Sequence, residues 1–90
     1  MSWTIELTLD RNVSNADFDK SVKEMPYTGF TPTKQYWGWS HEVDICNPID
    51  NKIVLHGAYY SINIARLFAF GFAGVLRKMG YIVDIGELRS

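Results

Sequence analysis

Two runs of alternating residues flank the turn-forming segment Asn47-Pro48-Ile49-Asp50-Asn51, and together they commit the chain to a sheet with two unlike faces. Residues 36–45 put Trp37, Trp39, His41, Val43 and Ile45 on one side and Tyr36, Gly38, Ser40, Glu42 and Asp44 on the other. Side chains alternate across a strand, so the first set predicts a core-facing surface and the second an outward one. The return arm runs over residues 52–61. Setting Ile45 opposite Ile53 places Val43 by Leu55, Trp39 by Tyr59 and Glu42 by His56. A slip of one residue would bring Ile53 and Leu55 beside Asp44, so burial selects against it.

The remaining elements follow from period and punctuation. Trp3, Ile5, Leu7 and Leu9 alternate with Thr4, Glu6 and Thr8, which predicts a half-buried strand. Ser14 stands three residues before Asp17 as a capping pair, and Val13 with Phe18 forms a hydrophobic staple. Phe18, Val22 and Met25 then give a short helix with one apolar stripe, stopped by Pro26. Residues 27–35 show no period and are expected to be a loop. Residues 63–79 predict a second helix, apolar on nearly every side, with Gly80 as its stop after Arg77 and Lys78. Tyr81, Val83 and Ile85 alternate as a final strand.

Ninety residues make a single domain, 1–90, and an apolar fraction of 47% is ordinary for a globular chain. The order β-α-β-β-α-β predicts an α+β fold of ferredoxin-like type: a four-stranded antiparallel sheet with both helices on one face. Right-handed crossovers set the expected neighbours as fourth, first, third and second strand. The first seven residues lack the basic-then-apolar order of a secretory signal, so the cytoplasm is the expected location. The longest apolar run, Leu67 to Leu76, falls well short of the roughly twenty residues that span a bilayer, so no membrane partner is expected.

Several kinds of chemistry find no support in the sequence. The one cysteine, Cys46, excludes an intrachain disulfide or a cysteine-cluster zinc site, and His41 points away from Cys46 and His56. No cofactor or metal is therefore expected. Ten acids against nine bases give a net charge of −1, where a nucleic-acid binder usually carries a basic excess. An RNA-binding sheet also stacks bases on aromatics of its central strands. Here Tyr60 alone would stand there, among carboxylates that repel phosphate.

The outward face is the expected functional surface. It would carry Thr4, Glu6, Thr8 and Asp10, then Tyr36, Glu42 and Asp44, then His56 and Tyr60, and finally Ile82 and Asp84. Carboxylates and tyrosines without lysine or arginine predict docking on a basic partner, with Glu6, Tyr36, Glu42, Asp44, His56, Tyr60 and Asp84 as contacts. Tyr27 and Phe30 on the loop are further anchors. The expected role is a small non-catalytic protein-binding module of inhibitor, immunity or adaptor type, acting on a protein such as nucleic-acid-processing machinery. A rival from another class is a small dimeric enzyme or ligand-binding domain built on His56, Glu42 and Tyr60. The second helix, apolar all round, exceeds what one small sheet buries, which also suggests a homodimer contact.

Overall fold

The computed structural model describes residues 3–26, 28–30, 36–38, 43–57 and 62–89, with the backbone alone at Phe30, Leu88 and Arg89. Eight elements follow one another: β1 (Trp3–Leu9), α1 (Asn15–Glu24), β2 (Thr28–Phe30), β3 (Tyr36–Gly38), β4 (Val43–Ile45), β5 (Lys52–Gly57), α2 (Ile62–Lys78) and β6 (Val83–Arg89). They form an α+β fold with one antiparallel sheet in the order β2-β3-β4-β5-β1-β6. The sheet has six strands, so the expected four-stranded ferredoxin-like layout is not what forms. The neighbours β6-β1-β5-β4 do follow the expected order, and the departure lies wholly at the other end.

There, residues 36–45 are not one strand. The chain reverses after Gly38, and β3 pairs back on β4 with Tyr36 opposite Ile45 and Gly38 opposite Val43. β2 adds a sixth strand from the stretch expected to be loop. Three-residue strands carry too few positions for a period of two to show.

The β4–β5 register also differs from expectation. Ile45 faces Leu55 and Asp44 faces His56, a shift of two residues. Such a shift keeps every side chain on its own face, so the apolar pattern cannot choose between the two registers. Turn geometry chooses. Ile49 and Lys52 exchange backbone hydrogen bonds of 3.0 Å around a two-residue turn, with Asp50 at φ 55°. Asn47 and Pro48 then lie against Ile53 alone, as a bulge where a residue without an N–H is tolerated.

Both helices cover one face. Trp3, Ile5, Leu7 and Leu9 of β1, Val43 and Ile45 of β4, Ile53 and Leu55 of β5 and Val83 of β6 are buried beneath them. Ser14 caps α1 as expected, its hydroxyl accepting from the Asp17 N–H at 3.1 Å. α1 is also tied down by two tyrosines. Tyr36 donates to Asp19 at 2.5 Å and Tyr81 donates to Asp17 at 2.6 Å. The Asp19 bond, with burial and the aspartate charge, pushes the Tyr36 hydroxyl up to about 12. The Asp17 bond raises that of Tyr81 in the same way.

α2 lies on the sheet with two ridges of different size. Ala65, Ala69 and Ala73 are buried, and on one helix side their small side chains let the axis come close to the strands. Phe68 and Phe72 fill the wider gap toward α1 and β3, where Phe72 meets Phe18 and Phe68 lies over Gly38. Gly80 ends the helix at φ 97°, with Tyr81 N–H on the Leu76 carbonyl and Gly80 N–H on that of Arg77. This is a Schellman cap, and only glycine adopts that φ without strain. α2 is fastened to β6 by the Arg66–Glu87 pair and by Arg77, which donates to the Val83 carbonyl at 2.7 Å.

Candidate functional site

The helices leave the other face of the sheet uncovered, and the strand registers order it into rows. One row crosses all six strands through Gly29, Trp37, Asp44, His56, Thr4 and Leu88. A second runs through Val54, Glu6 and Gly86, and a third through Lys52, Thr8 and Asp84. At the end of β4, Cys46 donates its N–H to the Val54 carbonyl at 2.9 Å.

Glu6, Asp44, His56 and Asp84 are thus brought onto one face, as expected. His56 is exposed, and its Nδ1 stands 3.3 Å from the Thr4 hydroxyl. The carboxylate-bearing residue opposite it is Asp44, where Glu42 was expected. Glu42, Tyr60 and Tyr27 lie outside the described residues, as do Trp39 and His41, and Phe30 is described in its backbone only. The enzyme constellation of His56, Glu42 and Tyr60 therefore rests on one described member.

Tyr36 is not on this face. Pairing with Ile45 turns it toward the helices, where its ring packs edge-on against Phe18 at 5.4 Å. The same reversal carries Trp37 out of the expected core and onto the open face beside Asp44. Its indole covers Gly29, so closely that any Cβ there would overlap the ring. Sequence reasoning placed both aromatics on the wrong sides because it carried one alternation through a bend.

The charge of the face also differs from expectation. Lys52 shares the parity of His56 and lies 3.5 Å from the Glu6 carboxylate, so a cation belongs to this surface. Asp10 is engaged in holding the chain. Its carboxylate accepts from the Ile82 N–H at 2.9 Å and from Arg11 at 2.9 Å. The Ile82 bond, with help from the Arg11 charge, holds that carboxyl below the usual range. Asp44 and Asp84 remain as face carboxylates outside the salt bridges seen among the described residues. The surface is acidic in balance and mixed in detail.

Among the described residues no three His, Cys, Asp or Glu side chains form a group able to hold a metal ion. Among the same residues no helix is long and apolar enough to cross a membrane. Comparison of the chain with protein-family models, with curated proteins and with solved structures finds no match in any of the three.

Proposed function

We propose that this chain is a small non-catalytic protein-binding module, of inhibitor, immunity or adaptor type, which docks its uncovered sheet face on a basic surface of a protein partner. The observation that supports it is the row Trp37, Asp44, His56 across adjacent strands. It sets an aromatic anchor next to a carboxylate on a face that neither helix covers. Aromatic residues supply contact area at low entropic cost, and carboxylates steer and orient a cationic partner. Rows of side chains on a sheet suit an extended partner surface better than an enclosed small molecule. Machinery that handles nucleic acid presents basic surfaces for its phosphates, so it is the sharpest class of target for such a face.

The test is capture from cell extract by wild type, by Asp44→Lys/Asp84→Lys and by a control, Lys20→Glu/Lys23→Glu, on exposed positions of α1. A partner kept by the control and lost by the face variant is the expected result. Capture unaffected by the face variant would overturn the reading.

A further inference from the structure

We infer that the outer surface of the helix layer rests on an anionic lipid bilayer, with Leu67 and Phe70 entering the interface and lysines of both helices at the level of the headgroups. This goes beyond the docking face, because it uses the opposite side of the molecule.

α2 supplies the apolar contact. Ala65, Ala69, Phe72 and Leu76 are buried and mark its inner side. At 3.6 residues per turn, the opposite side carries Asn63, Leu67, Phe70, Gly71, Gly74 and Lys78. Leu67 is 62% exposed and Phe70 is 57% exposed. Gly71 and Gly74 keep the helix low beside them, and a Cβ at Gly74 would meet nothing within 4 Å. Two large apolar side chains therefore stand out from a convex ridge.

α1 adds charge to the same surface. Its buried side holds Phe18, Ser21 and Val22, so Ala16, Lys20 and Lys23, all exposed, point away from the sheet. Met25 lies beside Gly71, which joins the outer sides of the two helices. Asp17 and Asp19 are turned to the flanks, where they accept from the Tyr81 and Tyr36 hydroxyls. The exposed charges of the helices are then Lys20, Lys23, Arg77 and Lys78 against Glu24. Arg77 sits lower, on the β6 flank, where it donates to the Val83 carbonyl. The three lysines form no salt bridge among the described residues.

Exposed apolar side chains bordered by cations match the chemistry of an anionic interface. A fluid bilayer accepts a convex ridge without a preformed groove. Lysine stems lie along apolar surface while their ammonium groups stay at the headgroups. The apolar run of α2 is too short to span a membrane, but a helix lying in the interface has no such length requirement. Repulsion from the acidic sheet face is weak, because that face lies beyond the whole helix layer. A helix is about 10 Å across, and charges are screened over about 8 Å at physiological ionic strength. Both sides of the molecule can thus be occupied at once, which would bring a partner held by the sheet to the membrane surface.

The test is co-sedimentation with vesicles of phosphatidylcholine alone and of phosphatidylcholine and phosphatidylserine in a three-to-one ratio. Wild type is expected to bind the anionic vesicles, to leave the neutral ones in solution and to be released by high salt. Lys20→Gln/Lys23→Gln is expected to weaken binding by about twentyfold, at about fivefold for each cation near the surface. Lys52→Gln, on the opposite face, is expected to change it little. Leu67→Ser/Phe70→Ser keeps every charge and is expected to abolish binding, with the fold retained by circular dichroism because both positions are exposed. Failure of wild type to bind the anionic vesicles would overturn the inference, as would binding undiminished in Leu67→Ser/Phe70→Ser. A dimer in sedimentation equilibrium that this variant dissolves would assign the ridge to a second copy and overturn it too.

Discussion

The two halves of the sheet are built in different ways. In β5-β1-β6, strands of six and seven residues pair over long registers, and alternate large apolar side chains settle which face is buried. In β2-β3-β4, strands of three residues pair briefly, and the faces are set by aromatic rings lying over glycines. Phe68 occupies the place of a side chain at Gly38 on the helix side, and the Trp37 indole covers Gly29 on the other. One half is specified by pattern and the other by shape. Shape complementarity of that kind leaves little tolerance, since a single added carbon has nowhere to go.

This contrast can be broken or sharpened by substitution. Phe68→Ala should have the largest effect, about 3–5 kcal/mol lost in urea unfolding, because it removes a fully buried ring and the cover of Gly38. Gly38→Ala should cost about 1–3 kcal/mol by overpacking. In a Phe68→Ala background that cost should largely vanish, a coupling that a double-mutant cycle measures. A cost that persists would mean the glycine serves backbone conformation and not the ring. Gly86→Ala supplies the matching measurement in the patterned half. Its Cβ meets ordinary contact only, so the change should stay within about 1 kcal/mol and can be favourable.

Tyr36→Phe should cost about 1.5 kcal/mol, the value of a hydrogen bond to a charged acceptor in a half-buried place. It should also change the alkaline limb. The folded protein holds the Tyr36 hydroxyl at about 12, above its ordinary value of 10.0. That stabilisation is complete below pH 10 and is lost as pH rises through about 12. Tyr81 shifts in the same direction, so Tyr36→Phe should flatten the limb in part and Tyr36→Phe/Tyr81→Phe should flatten it further. The smallest effect belongs to Lys52→Met. An exposed pair of 3.5 Å contributes less than about 1 kcal/mol, and salt should erase the difference.

The patterned half was legible from the residues alone. Its strands, both helices, the Ser14 cap, the Gly80 stop and the strand neighbours all follow from period and punctuation. The other half was not, for a specific reason. Alternation between Tyr36 and Ile45 looks continuous, yet a chain reversal between them flips which parity faces inward. No local signal marks such a reversal, because Gly38 is equally at home in a strand that makes room for a ring. For the site, Glu6, Asp44, His56 and Asp84 were placed on the correct face because they neighbour the long strands. Tyr36, Trp37 and the Lys52 charge were missed, the first two through the reversal. Lys52 was passed over because it borders the turn, although its parity matches that of His56.

The position of β1 has a consequence for how the chain reaches this state. It is the first strand in the sequence, and in the sheet it lies between β5 and β6. Leu7 therefore acquires Ile53 on one side and Ile85 on the other, the second of them close to the far end of the chain. Contacts so distant in sequence must be closed by diffusion before they return any free energy, which moves folding toward the slow, millisecond-to-second range of small domains. During synthesis the apolar stripe of β1 leaves the ribosome long before either neighbour exists. Over that interval the apolar side chains of Trp3, Ile5, Leu7 and Leu9 have no partner strand to pair with, which is the condition under which a nascent chain is prone to aggregate.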